Sequence, residues 1–256
     1  MKRFILESGA VAEVELIKLF RDPTELIARA IQPILWLLMF GQVLAQVRGI
    51  HTGHISYLAF ITPGILAQSI LFTGIFYGIA IIWERDLGIV QKLLVSPARR
   101  SSLVFGKAIA AGFRGIMQAI VIYLLAMALQ VSIRLEPLAI IGMLCSVMLG
   151  SGIFATFSLI IACIVKTRER FMGVGQLLTM PMFFASNAIY PLELMPNWLR
   201  VVALVNPLTY LIDALRGLVT IDGETIYGYS IDFAVLLGVF FVLLFVAVKL
   251  YPTLAE

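Results

Sequence analysis

Charged side chains are scarce in this chain of 256 residues. Lys, Arg, Asp and Glu make up 13% of it, against roughly 25% in an ordinary soluble domain. Cysteine is scarce too, because only Cys145 and Cys163 occur, about 27 Å apart if they share one helix. These absences exclude a soluble enzyme, a nucleic-acid binder, a disordered protein, a disulfide framework and a cysteine-based zinc site.

Hydrophobic residues are abundant instead, at 61% of the chain with a mean hydropathy of +1.01. Six apolar stretches, broken only by Arg114, approach or exceed the ~20 residues that a helix needs to cross a bilayer. The sequence therefore predicts an all-α, polytopic membrane protein with six transmembrane helices in a single transmembrane domain, 1–256. The stretches are 30–47, 49–83 (whose first part we expect to be an outer loop), 108–133, 137–165, 171–192 and 233–248.

The distribution of basic residues predicts the orientation. With six spans, fourteen Lys and Arg residues lie on the side that carries both termini, and four lie on the other. Positive loops stay in the cytoplasm, so we expect both termini there, in a prokaryotic plasma membrane. The net charge of +4 then reflects ordinary membrane asymmetry and needs no nucleic-acid partner.

The N-terminal segment, residues 1–25, is predicted to be an amphipathic helix at the cytoplasmic interface. Val11, Val14, Ile17 and Phe20 recur every three residues between polar ones, as in interfacial helices. The alternative is a solvated lead-in to the first span.

The cytoplasmic loop at residues 84–100 contains a short amphipathic pattern. Leu87, Val90 and Leu94 form one apolar edge, and Gly88 begins the short helix. Two helical turns are too few to be stable alone, so this helix needs either the lipid surface or a partner protein.

The outer segment at residues 193–216 is apolar but cannot be a straight span, because Arg200 and Asp213 would be buried in lipid. Trp198 suggests interfacial or re-entrant helices. Asp213 and Arg216 are three residues apart on a helix and are expected to be able to pair.

Together these segments resemble the membrane subunit of type 2 ATP-binding-cassette exporters, most closely the daunorubicin-resistance and nodulation-factor exporter permeases. The resemblance covers essentially the whole chain. The early motif is Arg21-Asp22-Pro23. The middle motif is Glu84, Arg85, Asp86, Gly88, Leu93, Leu94, Ser96, Pro97, Arg99, Gly106 and Lys107. The late motif is Pro191, Leu192, Pro196, Trp198, Leu199, Asn206 to Tyr210, Asp213 and Arg216.

The resemblance implies a mechanism. Two permeases, here expected to be identical copies, would dimerise in the bilayer, and each would dock an ATP-hydrolysing subunit. Residues Glu84 to Ser96 would form the coupling helix, braced by the N-terminal helix, with Pro97 and Arg99 beyond it. The chain has no phosphate-binding loop of its own, so it is not expected to be an enzyme or to bind a cofactor. ATP and Mg would be held by the partner.

The cargo is expected to be a hydrophobic drug-like molecule or a lipid. Alternatives are a lipid-linked polysaccharide or lipo-oligosaccharide, and an ion-coupled carrier that works alone. Arg114 has three interpretations: it faces a dimer cavity, pairs with a carboxylate, or reaches the headgroups. The candidates for a substrate path or gate are Arg114, Phe183, Phe184, Tyr190, Asp213 and Arg216, although aromatic residues within a span usually just pack.

Overall fold

The computed structural model describes residues 2–21, 24–41, 43, 56–165 and 167–255. These residues form ten α-helices, and their only β pairing is one antiparallel bridge between Ile133 and Thr220. The all-helical prediction is therefore confirmed. The helices are α1 (Lys2–Arg21), α2 (Thr24–Leu35), α3 (Tyr57–Asp86), α4 (Ile89–Val95), α5 (Arg100–Ala128), α6 (Pro137–Ile164), α7 (Arg168–Phe184), α8 (Asn197–Val205), α9 (Pro207–Val219) and α10 (Tyr229–Leu250).

Four helices in the described part of the chain are long and apolar enough to cross a membrane: α3, α5, α6 and α10 with its extension to Leu254. Helices α8 and α9 pass the same test as a pair but are bent by 82°, as in a broken span or a re-entrant loop. The count is thus four or five. The predicted six is not confirmed, because α2 and α7 are short and Asp22, Pro23 and most of 42–55 lie outside the described residues.

Helix α6 occupies the centre of the molecule and packs against α3, α5, α9 and α10. Small residues let these helices approach closely. At Gly78 of α3, an added Cβ would lie 2.4 Å from Ser158 Oγ, and the Gly78 N–H donates a hydrogen bond of 2.9 Å to that hydroxyl. The hydrophobic core runs along α6. The helices packed on it are thereby held in position, and their ends carry the candidate sites.

Helix α1 packs along α5, and Gly106 of α5 allows the two helices to approach closely. A Cβ on Gly106 would lie 2.7 Å from the Ser8 carbonyl oxygen and 2.7 Å from Val11 Cβ. The face of α1 that is buried in the protein consists of Ser8, Ala12, Glu15 and Leu19. The predicted apolar stripe is therefore not the packed face, because Val14, Ile17 and Phe20 are exposed.

Candidate functional site

Five charged side chains from three helices meet at the cytoplasmic end of the bundle, as the predicted orientation defines it. We call Glu15, Lys18, Glu84, Lys107 and Arg114 the ion cluster. Glu84 accepts hydrogen bonds from Lys107 Nζ at 2.5 Å and Lys18 Nζ at 2.7 Å. Glu15 lies 3.1 Å from Lys18, 3.5 Å from Lys107 and 3.2 Å from Arg114. The cluster ties α1, α3 and α5 into one unit.

Most of this cluster is inaccessible to water. The side chain of Lys107 is 3% exposed and that of Glu15 is 6% exposed. Burial raises the pKa of the Glu15 carboxyl, but the opposing effects of Lys107, Lys18 and Arg114 outweigh it and hold that pKa well below its usual range. Glu15 is therefore a carboxylate at neutral pH.

This geometry bears on the interpretations of Arg114 and Glu84. Arg114 pairs with a carboxylate, Glu15, and its guanidinium carbon lies 4.7 Å from the Tyr77 ring centroid. The interpretation in which Arg114 reaches the headgroups is wrong. Glu84 was expected on a docking surface, but only 8% of the residue is exposed. A docking role for Glu84 stays a prediction, and its observed contacts are all internal.

Helix α1 also holds the segment that follows α4. The Glu7 carboxylate accepts hydrogen bonds from the Arg99 backbone N–H at 3.0 Å and from the Ser102 hydroxyl at 2.8 Å. Arg3 donates to the Pro97 carbonyl oxygen at 2.8 Å. The Arg99 N–H and the Ser102 hydroxyl together lower the pKa of Glu7 to about 2. The contacts fit the predicted bracing by α1.

The other end of the loop is tied to α7. Asp86 accepts hydrogen bonds from Arg85 at 2.8 Å and Arg168 at 2.7 Å. The guanidinium of Arg168 also stacks 3.6 Å from the Trp83 ring centroid. Glu84, Arg85 and Asp86 are therefore the last turn of α3, not part of the short helix. Gly88, with φ of +71°, makes the bend between them.

Helix α4 lies between Gly88 and Ser96, as the sequence pattern predicts, and is shorter than the range Glu84 to Ser96 that the resemblance implies. Its buried and exposed faces differ from the predicted ones. Val90 is fully buried, and Leu93 and Leu94 are half-buried against the same core cluster. Ser96 accepts from the Ala98 N–H and donates to the Leu93 carbonyl oxygen, which ends the helix. The predicted edge of Leu87, Val90 and Leu94 is thus wrong, because Leu87 points outward and Val90 inward.

Exposed residues lie on α4 and just before it, and we call Leu87, Gln91 and Val95 the exposed stripe. Leu87 is 66% exposed and Val95 is 88% exposed, with exposed Gln91 between them. A shallow groove of about 460 Å³ adjoins the stripe, lined by Gln91, Lys92, Val95 and Ser96. Exposed apolar residues in a row are typical of a binding surface. Gln91 and Val95 are four residues apart on α4 and therefore share a face, which their spacing in the sequence already indicates. Leu87 lies before the bend at Gly88, so its position relative to that face does not follow from spacing.

The outer segment is folded around two buried charges. Asp213 is fully buried and accepts the backbone N–H groups of Ile226 at 2.8 and 3.0 Å and Tyr227 at 3.0 Å. Arg216 donates to the Asn187 carbonyl oxygen at 2.7 Å. Among the described side chains no ion pair within 4 Å joins Asp213 to Arg216, so the expected direct pairing is not observed, although the two opposite charges attract each other.

The aromatic candidates lie beside this segment. Phe183 is fully buried, with its ring centroid 5.8 Å from that of Trp36, whereas Phe184 is 44% exposed. The Tyr190 hydroxyl donates to the Phe184 carbonyl oxygen. Phe183 therefore packs in the core. The role of Phe184 and Tyr190 in a substrate path stays a prediction.

Comparison with known proteins identifies the family. The model described as ABC-2 type transporter matches residues 8–220. The chain belongs to this family. Permeases of this family work with an ATP-binding subunit in ABC transporters, and the predicted resemblance is confirmed.

Two of the following three relatives carry transport names. The chain is 31% identical over 217 residues to the transport permease ycf38 of Cyanophora paradoxa, covering 84% of this chain and 74% of that one. It is 27% identical to a doxorubicin resistance ABC transporter permease protein, DrrC, of Mycobacterium tuberculosis, covering 77% and 71%. It is 24% identical to nodulation protein J of Rhizobium leguminosarum bv. trifolii, covering 75% and 72%. The chain is thus a multi-pass membrane permease subunit, not an enzyme.

Proposed function

We propose that this chain is the membrane subunit of an ATP-driven exporter, with α4 as its coupling helix. The docking surface is the stripe of Leu87, Gln91 and Val95 rather than the buried Glu84. Two copies of the chain form the transporter, each binding one ATPase that carries the ATP and Mg. Both termini face the cytoplasm, and the membrane is the plasma membrane of a prokaryote.

The observation that carries this proposal is the way α4 is held. Its inward face packs on the core through Val90, and its ends are tied to α1 through Arg99 and to α7 through Asp86. Its outward face carries a valine that is 88% exposed, which is unfavourable in water. A helix clamped at both ends, with an uncovered apolar stripe, is suited to transmit movement from a docked partner.

A pull-down tests the docking surface. The tagged permease is purified in mild detergent, and mass spectrometry identifies what comes with it. We expect an ATPase with a phosphate-binding loop in stoichiometric amount. Val95→Glu should reduce its recovery about ten-fold or more, because a charge placed in an apolar contact is desolvated. Arg170→Glu, an exposed change in the first turn of α7, is the control.

Recovery of the ATPase at the wild-type level by the double variant Val95→Glu, Leu87→Glu would disprove the docking surface.

The identity of the transported molecule is a separate question. A hydrophobic drug-like molecule or a lipid fits the family, and the name of DrrC favours the former for that protein. Nodulation protein J keeps lipo-oligosaccharide export as the alternative. Transport by the permease alone in liposomes without ATP would instead indicate an ion-coupled carrier.

A further inference from the structure

The loop that contains α4 carries charge of one sign only. Residues 87–100 include Lys92, Arg99 and Arg100 but neither Asp nor Glu. All three side chains are exposed, and Lys92 lines the shallow groove beside Val95. Three positive charges therefore lie on α4 or within five residues of its end.

The carboxylates next to this loop already have other partners. Asp86, immediately before it, accepts hydrogen bonds from two other arginines. Glu7 accepts from the Arg3 side chain and from the Arg99 backbone N–H, a contact that does not involve the Arg99 guanidinium. None of the three cationic side chains forms an ion pair with a described residue. The described part of the chain therefore does not neutralise the charge of the loop.

The position of the loop favours a protein over lipid as the source of negative charge. Arg100 begins α5 and lies seven residues before Lys107, about 10 Å further along the helix and away from the apolar stretch 108–133. The headgroup layer adds only about 5–8 Å to each side of the hydrocarbon. Cations at this distance lie at or beyond the outer limit of the headgroups, where a cytoplasmic protein is the nearer partner.

The exposed apolar surface of α4 is also too small to hold the helix on lipid. Its buried face is turned into the protein, with Val90 fully buried and Leu93 and Leu94 half-buried in the core. Leu87 and Val95 are the exposed large apolar residues of this loop. A helix that lies on a membrane needs a continuous apolar face, whereas a protein interface combines a small apolar centre with a polar rim.

We infer that the partner ATPase docks on α4 through a cleft that receives the exposed stripe and has a rim of Asp or Glu side chains opposite Lys92, Arg99 and Arg100. This inference rests on the proposed function and adds the chemistry of the partner's surface. Charges at a rim act on the rate of association more than on the lifetime of the complex. They also select the matching ATPase, since a neutral or basic rim gains nothing or is repelled.

Zero-length cross-linking tests the contact directly. The permease in mild detergent is mixed with the ATPase recovered in the pull-down, and a carbodiimide joins amines to carboxylates that touch them. We expect an amide bond between Lys92 Nζ and an Asp or Glu side chain of the ATPase, identified by mass spectrometry. Lys92→Arg keeps the charge but has no amine, so it should abolish this cross-link and leave the recovery of ATPase unchanged.

Association kinetics test the charges. Raising NaCl from about 0.1 to about 1 M shortens the screening length from about 10 Å to about 3 Å, and the wild-type association rate should fall about ten-fold while dissociation changes little. At low salt, Lys92→Gln should lower that rate about two-fold, and the triple variant Lys92→Gln, Arg99→Gln, Arg100→Gln about ten-fold. Arg200→Gln, which removes an exposed cation from the outer segment, is the control for the single change and should behave as wild type.

A thermal melt verifies that each variant folds, and if the triple variant does not, Lys92→Gln and the cross-link carry the test. Three outcomes would overturn the inference while the ATPase still binds: an association rate that does not depend on salt, equal rates for wild type and the folded variants, and the absence of a Lys92 cross-link. Adducts of diazirine-labelled phosphatidylglycerol on residues 92–100 in nanodiscs, with the ATPase bound, would assign the cations to lipid instead.

These results separate the inference from the proposed function. In each of them the ATPase is still recovered and Val95→Glu still weakens its binding, so the docking surface stands and only the acidic rim is refuted. If no ATPase is recovered with the wild-type permease, the proposed function fails and the inference fails with it.

Discussion

Removing the charge of Glu84 should loosen α1, α3 and α5 from one another. In the ion cluster Glu84 bonds Lys107 at 2.5 Å and Lys18 at 2.7 Å. The change Glu84→Gln keeps the shape of the side chain but removes one of the two carboxylates that balance three cations. Glu15, at 3.5 Å, is then the only carboxylate of the cluster near Lys107.

The size of the expected loss of stability follows from the burial of Lys107. Breaking a buried ion pair by removing one partner costs ~3–5 kcal/mol, because the other charge stays desolvated. Lys107 is 3% exposed, so this range applies to it, whereas Lys18 is 47% exposed and adds at most ~1 kcal/mol. Since Glu15 remains nearby, we expect the lower end, about 3 kcal/mol, or a fall in melting temperature of roughly 6–12 °C for a chain of this size.

The assay is a thermal melt of the purified permease in detergent, with Glu13→Gln as the control. Glu13 is an exposed carboxylate on the same helix, so its loss should leave the melting temperature unchanged. Replacing both buried partners, as Glu84→Leu with Lys107→Met, should recover part of the loss, because apolar residues leave no unpaired charge. A melting temperature for Glu84→Gln within about 2 °C of wild type would refute the reasoning.

Three further predictions concern other contacts. The pKa of Glu7 is lowered to about 2, so its contribution to α1 docking is complete above its unfolded pKa near 4.5 and is lost as the pH falls towards 2. Hydrogen exchange at residues 3–9 should show a larger loss of protection in wild type than in Glu7→Gln, since the loss caused by Glu15 is common to both. Gly106→Val should displace α1, because the new Cβ would lie 2.7 Å from the Ser8 carbonyl oxygen, and protease should then cleave α1 faster. Asp213→Ala leaves two backbone N–H groups without an acceptor and should destabilise the 220–228 loop by ~2–5 kcal/mol, measured as a lower melting temperature.

Each of these has its own control and its own contradicting result. An equal decline in protection at residues 3–9 in wild type and Glu7→Gln would assign the whole effect to another group, such as Glu15. Gly173→Ala, where nothing lies within 4 Å of the new Cβ, is the control for Gly106→Val, and equal cleavage of the two would disprove the close approach. For Asp213→Ala the control is Asp222→Ala in the exposed part of the same loop, and equal melting temperatures would contradict the assigned role.

The sequence by itself determined the class of the protein and the order of its segments. Long apolar runs can only be helices in a bilayer, since every backbone group must be paired within its own segment. The motif from Glu84 to Arg99 indicated the family, which the comparisons confirm. The number of spans could not be deduced from the apolar runs alone, because α8 and α9 are apolar yet bend by 82° at Asn206 and Pro207.

Only the tertiary structure decided which side chains meet. Helical periodicity places Ser8, Ala12, Glu15 and Leu19 on one face of α1, but does not say which helix lies opposite. Glu15 therefore looked like one polar residue among several, although it pairs with Arg114, ninety-nine positions later. A contact between helices depends on their packing and not on the period of either one.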